Sequence, residues 1–462
     1  MISQESSSIR IHAIICKSNG SEILLIQNDS GWVLPEVANL EAPGGFIVRV
    51  NRAVHKLLGI TTSLLHCVSY ELNDSDNSIE AVYALESHRT QSASHPDARW
   101  INHTDFPSMI LARESHRDIV ESWFKYTENF TASQERLAPW QHPGWLSESM
   151  KWIGERLSEY SIALTGKFRH IASTSVHFLI EVETTSGNFY LKIVKDYLAY
   201  EQSVTCALAK WCPSNLPEII AVDEERHWFL MRGAEGKILR DSPDLRHWIG
   251  ALQSFARLQI LCIERIDTLF KLGCPDYRLE NLPGQIDWFF TTLAELEAVY
   301  MPPAVERNIS LLSGQFKELC ERLANFHIPS SIVHSDLNGN NVIVNDNNIV
   351  YIDWATSFIG HPFYSLVGAP SYAGHLYPEL KESRDQLRQA YLNPWSDYLG
   401  VTDLRKAYQL SRPLCLLQSA VDLTYDFMRD KGTDRDRGAE GIAFVQKLLR
   451  AAIKAAAPDK IG

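Results

Sequence analysis

The sequence predicts an α+β protein in two large blocks, and three observations carry that expectation. Short strand-like runs dominate residues 9–125. A second group of such runs follows one helical segment, between residues 160 and 231. From Ser242 onward the apolar spacing is helical, apart from one late hairpin. At 462 residues the chain is too long for one ordinary domain. The expected organisation is a domain over 1–128, a linker over 129–145, a small strand-rich lobe over 146–236 and a large helical lobe over 237–462.

Within the first block, Ile11–Cys16 and Glu22–Ile26 flank Asn19-Gly20, a strong hairpin-turn signal. A helix is expected near Val48–Leu58, stopped by Gly59. Strands follow at Thr62–Tyr70, Ile79–Ser87 and Trp100-Ile101, and a helix near Ser115–Phe124 closes the block. The stretch Tyr126–Pro143 is polar, mixed in sign and contains Pro139 and Pro143, so it reads as the linker.

The second block opens with a helix over Leu146–Leu157. Strands are expected at Tyr160–Leu164, Val176–Glu183 and Asn188–Val194, with Ser186-Gly187 turning between the last two. A helix over Leu198–Trp211 and a strand over Trp228–Met231 complete the small lobe. Ser242-Pro243 then reads as an N-cap with proline at the first helical position. The late exception is Val342–Ile352, where two short strands flank Asn345-Asp346-Asn347-Asn348.

Composition excludes several classes. With 44 Lys+Arg against 56 Asp+Glu the chain lacks the basic excess that a phosphate backbone demands, so nucleic acid is not an expected partner. The cysteines, Cys16, Cys67, Cys206, Cys212, Cys262, Cys274, Cys320 and Cys415, are scattered and no pair forms C-x-x-C. They read as free thiols rather than a disulfide framework or a zinc site. The polar stretch Met1–Arg10 lacks the apolar core of a signal peptide, and no apolar run approaches membrane-spanning length. A cytoplasmic protein with no membrane partner is expected.

The chemistry concentrates in Ile332-Val333-His334-Ser335-Asp336-Leu337-Asn338-Gly339-Asn340-Asn341, which leads into the late hairpin and Asp353-Trp354. Phosphoryl transfer needs a carboxylate that orients a hydroxyl and accepts its proton, and metal ions that neutralise charge on the phosphates. Magnesium takes oxygen ligands and keeps several waters, so one carboxylate and one amide oxygen suffice from the protein. Asp336 lies on a loop, Asn341 starts the first strand of the hairpin and Asp353 ends the second. Antiparallel pairing therefore brings Asn341 and Asp353 together at the open end, beside Asp336. His334 reads as a residue that holds the loop.

His334–Asn341 followed by Asp353-Trp354 resembles the aminoglycoside phosphotransferase and choline kinase group, relatives of the protein kinases. The resemblance runs from about Leu146 to the C-terminus. It implies a bilobal protein-kinase-like fold, ATP and Mg2+ as cofactors, and a small hydroxyl-bearing molecule as substrate. Asp336 is then the catalytic base, and Asn341 and Asp353 are the metal ligands. Tyr190–Val194 resembles the strand that carries the phosphate-binding lysine, here Lys192, and Glu201 matches the acid that pairs with it. Met231-Arg232-Gly233-Ala234-Glu235-Gly236 resembles the adenine-binding hinge, which makes Met231 and Gly233 its backbone contacts. The stretch Gly166–Ser175 stands where the phosphate loop belongs but has one glycine. Ser173, Thr174 and Ser175 offer hydroxyls or backbone N–H groups there, and a plain strand-connecting turn accounts for them equally. The family's structural acid is replaced by Ser365, and Ala369-Pro370-Ser371 follows Asp353 too closely for a protein-kinase activation segment.

In the first block, Gly31-Trp32-Val33-Leu34-Pro35, Gly59 after a helix, and Ala98-Arg99-Trp100-Ile101 resemble the Nudix fold, an α/β sandwich. Its metal-binding glutamates belong on the helix before the closing glycine, where this chain has Arg52-Ala53-Val54-His55-Lys56-Leu57-Leu58. Glu36 and Glu41 precede the helix. Without clustered carboxylates the hydrolase cannot hold its magnesium ions. The block therefore reads as a Nudix-like domain without hydrolase activity, serving substrate recognition or homodimer formation.

Two function classes follow: a small-molecule kinase, and a decayed nucleotide-sensing or scaffold protein, with a protein kinase a distant third. The intact Asp336, Asn341 and Asp353 favour the first. The C-terminal helices, which set the substrate in the family, carry Trp395, Asp397, Asp422, Tyr425, Asp426 and Asp430. Asp422 and Asp426 share a helical face. They form either a solvated acidic face or a pair that holds the amine of an amino sugar, antibiotic or amino alcohol.

Overall fold

The computed structural model describes residues 9–37, 46–73, 78–88, 94–128, 137–174, 176–300, 309–346, 348–429 and 435–457. The chain divides into two compact units, Met1–Asp196 with Ile219–Gly233, and Tyr197–Glu218 with Ala234–Gly462. No described helix is long and apolar enough to cross a membrane.

The first unit begins with β1 (Ile9–Cys16) and β2 (Glu22–Asn28), an antiparallel pair whose turn uses Gly20 at φ +69°. β3 (Gly31–Val33) adds to β2, and β4 (Glu36–Val37) pairs with β1. After α1 (Phe46–Leu58), β5 (Thr62–Asn73) and β6 (Ser78–Ser87) form a long antiparallel pair, and β6 runs parallel to β1. β7 (Ala98–Asn102) pairs with β2, and α2 (Glu114–Glu128) closes the region. The seven-stranded sheet has the order β3-β2-β1-β6-β5. Alternation along β1 divides the core. Ile11, Ala13 and Ile15 pack with Val50, Val54 and Leu58 of α1, whereas Ile14 and Cys16 pack with Val120, Trp123 and Phe124 of α2. A sheet covered by a helix on each face results.

The same unit contains α3 (Trp145–Ser158) and a five-stranded antiparallel sheet of β8 (Leu164–Ser173), β9 (His177–Thr184), β10 (Gly187–Val194), β11 (Ile219–Asp223) and β12 (Trp228–Arg232), ordered β11-β12-β10-β9-β8. Trp145, Trp152, Ile153 and Leu157 of α3 bury against Phe178, Ile180, Leu191, Ile193 and Trp228. Trp145 meets Phe178 edge-on at 4.7 Å and Trp228 at 5.5 Å.

Three expectations are corrected here. The first strand of this sheet is Leu164–Ser173, so Tyr160-Ser161 is a turn and most of the expected phosphate loop is strand. Phe168 pairs with Val182 and His170 with Ile180, and the strand passes through an irregularity between Leu164 and Phe168, where Gly166 takes φ +83°. β11 was not expected. Within the expected linker, residues 137–144 are folded while 129–136 lie outside the described residues. Trp140 is buried and its Nε1–H donates to Thr174 O at 2.8 Å, and Gly144 N–H donates to the buried Glu86 Oε2 at 3.2 Å. Apolar burial of Ala138 and Trp140 overrides the polar, proline-bearing composition.

The second unit is mostly helical. It comprises α4 (Tyr200–Trp211), β13 (Lys237–Ile238), α5 (Leu245–Cys262), α6 (Ile266–Lys271), β14 (Asp276–Tyr277), α7 (Leu282–Tyr300), α8 (Ile309–Ala324), β15 (Ser331–His334), β16 (Val342–Val344), β17 (Ile349–Tyr351), β18 (Ser357–Gly360), α9 (Ala369–Leu376), α10 (Arg384–Leu392), α11 (Val401–Arg429) and α12 (Arg435–Ala455). Two small sheets, β13-β16-β17 and β14-β18-β15, sit among the helices. The N-cap of α5 is Asp244, whose side chain accepts from Arg246 N–H, rather than Ser242. Ser242 instead pairs its Oγ with His247 Nδ1 at 2.7 Å.

Candidate active site

The expected hairpin forms with β16 against β17, Val342 opposite Tyr351 and Val344 opposite Ile349. Asn347 of its turn lies outside the described residues. The ladder continues one step further, since Ile352 N–H donates to Asn341 O at 3.0 Å. Asn341 and Asp353 thus reach the open end of the hairpin together. Asp353 adopts φ +65°, a left-handed conformation that costs a non-glycine residue about 1 kcal/mol or more and that clusters at functional sites. Its neighbour Trp354 is fully buried, stacked on Phe255 with ring centres 6.1 Å apart.

The loop before β16 is bound to itself. Asn341 Nδ2 donates to Asp336 O at 2.9 Å and to Asp336 Oδ2 at 2.8 Å. Asn338 Nδ2 donates to the other carboxylate oxygen of Asp336, Oδ1, at 2.5 Å. Asp336 therefore presents an exposed, acceptor-only carboxylate in a fixed orientation. Asn341 spends its amide nitrogen on Asp336, which leaves its amide oxygen as the atom a cation would take. Gly339 is required by close approach: an added Cβ would lie 2.8 Å from the Trp248 ring and 2.9 Å from Arg240 N, which donates to Gly339 O.

Beneath the loop runs a buried polar network. His334 joins the loop to the hairpin end through Nε2 and Ile352 O, 3.0 Å apart. His334 N–H donates to Ser365 Oγ at 3.0 Å, and Gln259 Nε2 donates to Ile332 O at 2.7 Å and Pro362 O at 3.1 Å. Ser365, which stands where the resemblance places an acid, thus ties down the same loop without a charge. Sequence reasoning missed Gln259 and Tyr391, whose hydroxyl bonds Pro362 O at 2.7 Å, because nothing local marks them.

Lys192 is buried on β10, the central strand, opposite Leu179 and Phe229. Glu201, in the first turn of α4, is only 1% exposed rather than on a solvated face. Met231 pairs with Tyr190 and Ile219 inside the sheet, and Gly233 N–H donates to Asn188 O at 2.8 Å. The backbone of Met231 is thus part of the sheet, and the N–H of Gly233 is engaged rather than presented to an adenine. Ser173 ends β8, while Thr174 Oγ1 caps the following turn by accepting from Val176 and His177 N–H. Ser175 lies outside the described residues.

Among the C-terminal candidates, Trp395 and Asp397 separate at once: Trp395 is core, packed on Phe363, and Asp397 is exposed. Asp430 lies outside the described residues. Asp422 is only partly exposed and its carboxyl is enclosed. Burial pushes it up to about 7, against hydrogen bonds from Tyr277 and Gln418. Next to it, Trp288 and Tyr425 stack face to face with centroids 3.8 Å apart. The charges of Asp422 and Asp426 also raise Tyr200, which is pushed up mainly by burial. The Tyr200 hydroxyl donates to Ala355 O at 2.6 Å, two residues beyond Asp353. The solvated acidic face is thus corrected for Asp422; Asp426 is the exposed member of the pair.

Comparison with known proteins matches residues 179–404 to the phosphotransferase enzyme family. No curated protein matches the sequence. Similar solved structures include an ethanolamine kinase of Plasmodium vivax, 15% identical over 78% of this chain and 98% of its own, with a TM-score of 0.47. A choline kinase from Cryptosporidium parvum is 15% identical over 67% of this chain and 95% of its own, with a TM-score of 0.46. An aminoglycoside phosphotransferase in its ADP-bound form is 12% identical over 66% of this chain and 98% of its own, with a TM-score of 0.45.

Proposed function

Because the family match over residues 179–404 supports a small-molecule phosphotransferase, we propose that this chain is an ATP-dependent kinase acting on a hydroxyl of a small, amine-bearing molecule. The observation that supports it most is the hydrogen bond from Asn341 to Asp336 at the open end of the β16–β17 hairpin, with Asp353 following Ile352, whose N–H bonds Asn341 O.

In this reading the exposed Asp336 carboxylate orients the acceptor hydroxyl and takes its proton as the oxygen attacks the γ-phosphorus of ATP and ADP leaves. The oxygen-only donor set of Asn341 and Asp353 suits Mg2+, which when bound neutralises charge on the phosphates. Lys192 contacts the phosphates, a role that its burial on the central strand supports over a surface one. Ser173, Thr174 and Ser175 contribute less, since Thr174 already spends its hydroxyl on its own turn. Adenine contacts come from groups other than the N–H of Gly233. For the amine, Asp422 supplies a counter-charge and the Trp288–Tyr425 pair an aromatic surface that attracts cations.

The first 128 residues remain, in this proposal, a Nudix-like accessory domain without hydrolase activity, since α1 offers no carboxylate. The domain boundaries and the cytoplasmic location are proposed with it.

The deciding experiment measures ADP release with Mg·ATP against a panel of amino sugars, amino alcohols, nucleosides and peptide antibiotics, with Asp336→Asn alongside. Acceptor-dependent turnover that the variant loses is the expected result. Nucleotide-induced thermal stabilisation without turnover on any acceptor would sink the kinase and favour the decayed sensor. In the same assay Lys192→Ala should lower kcat/KM heavily and Lys192→Arg less, because an ammonium acts on phosphates as a point charge.

A further inference from the structure

His12 of β1, Glu80 of β6 and His116 of α2 come together on the face of the mixed sheet that α2 covers. Their positions follow from strand and helix periodicity. His12 is in step with Ile14 and Cys16, and Glu80 with Val82 and Ala84, while His116 lies one and two helical repeats before Val120 and Phe124. Polar groups thus occupy one end of this layer. His12 and His116 are each 3% exposed. Their Nε2 atoms lie 3.1 Å and 3.4 Å from the same oxygen, Glu80 Oε1, and their rings meet edge-on with centroids 4.7 Å apart.

We propose that His12, Glu80 and His116 form a binding site for a divalent transition-metal ion of the zinc type. Tetrahedral zinc with bonds of about 2.0–2.1 Å holds neighbouring ligand atoms about 3.3 Å apart. Two of the three pairs here already have that spacing, and all three ligand atoms lie within 4.8 Å of one another. Imidazole with one carboxylate selects zinc-like ions over magnesium or calcium, so the site differs in kind from the oxygen set around Asp336. It also lies on the opposite face of the sheet from α1, the helix that would carry hydrolase carboxylates. Burial lowers both histidines, which favours the neutral, ligating form, and the charges of Glu36 and Glu71 add to the negative field.

Arg113, just before α2, stands in for the ion. Its Nη1 is 2.5 Å from Glu80 Oε1 and 3.4 Å from His12 Nε2. Its side chain is 36% exposed and can swing outward, so metal uptake exchanges one cation for another on the same carboxylate. Among the described residues neither imidazole has a partner for its Nδ1, so no outer-shell hydrogen bond from them reinforces the rings, and micromolar rather than nanomolar affinity is expected.

The test uses the full-length protein, stripped with EDTA and titrated with Co2+ as a spectroscopic probe, then with Zn2+ followed by thermal stability. One saturable equivalent with visible d–d absorption, displaced by Zn2+, is expected. His116→Gln and Glu80→Gln should each weaken binding by about tenfold or more. Arg113→Ala should tighten it, because the competing cation is gone. Turnover with Mg·ATP should be the same in all three variants. The absence of a saturable equivalent, or binding unchanged in His116→Gln, would overturn the proposal. Should the histidine and glutamate variants fail to fold, Arg113→Ala decides: unchanged or weaker binding refutes the site.

Discussion

Asp336 and Asp422 are carboxylates of the same unit in opposite surroundings. Asp336 is exposed, and the donors that fix it come from within five residues, Asn338 Nδ2 at 2.5 Å and Asn341 Nδ2 at 2.8 Å. Asp422 is enclosed, and besides Gln418 one turn earlier on α11 its hydrogen-bond partner is Tyr277 of β14, far along the chain. Where local partners alone fix a carboxylate, it stays in water and available for chemistry. Where distant elements enclose it, its charge becomes costly, and it is suited to meeting a cation that arrives with a ligand.

The comparison breaks most readily at Asp336. Asp336→Asn should slow phosphoryl transfer by about a hundredfold or more while leaving the melting temperature near that of the parent, because an exposed carboxylate contributes little to stability. Steady-state kinetics alongside a thermal melt checks both halves. Near-normal kcat would remove Asp336 from the mechanism, and a large loss of Tm would make it structural.

A smaller effect is expected where the loop rests on its supports. Gly339→Ala puts a Cβ against Trp248 and the backbone of Arg240, of which only the ring can give. It should cost about 1–3 kcal/mol in chemical unfolding and lower kcat with it. Ser365→Ala removes the acceptor of His334 N–H in a buried site, a loss of about 1–3 kcal/mol. Equal stability in both variants would show that the loop holds its shape without them.

The two carboxylates also mark how far the sequence can be read. The hairpin register and the Asn341–Asp336 contact were legible because the bonds that form them span twenty residues or fewer, whereas the supports from Arg240, Gln259 and Ser365 come from farther along the chain. The enclosure of Asp422 was not, since helical spacing gives it a face but not what packs on that face. The same limit hid Gln259 and the cluster of His12, Glu80 and His116, whose members are 36 to 104 residues apart in sequence. The phosphate loop was misplaced for a different reason. Gly166 and the serines near 173 resemble a turn, yet the pairing of Phe168 and His170 with β9 carries the strand through. Pairing with a neighbouring strand outweighs local turn propensity when both faces can be satisfied.

Asp422→Asn sharpens the contrast through pH. The native carboxyl titrates at about 7, against about 3.9 in an unfolded chain. A raised value means that the folded state binds the proton more tightly than the unfolded state does. The stability this confers is complete below about pH 4, erodes as pH rises from about 4 to 7, and is gone above. Asparagine mimics the protonated form at every pH and can still accept from Tyr277. The variant should therefore match the parent at pH 4.5 and exceed it at pH 8. The margin should be about 1–3 kcal/mol, reduced from the full shift because the residue keeps some solvent contact. With an amine-bearing acceptor the same variant should raise KM while kcat changes little, the inverse of Asp336→Asn. Equal Tm differences at pH 4.5 and pH 8 would show that Asp422 stays ionised in the fold. An unchanged KM would separate its burial from substrate recognition and leave the amine without its counter-charge.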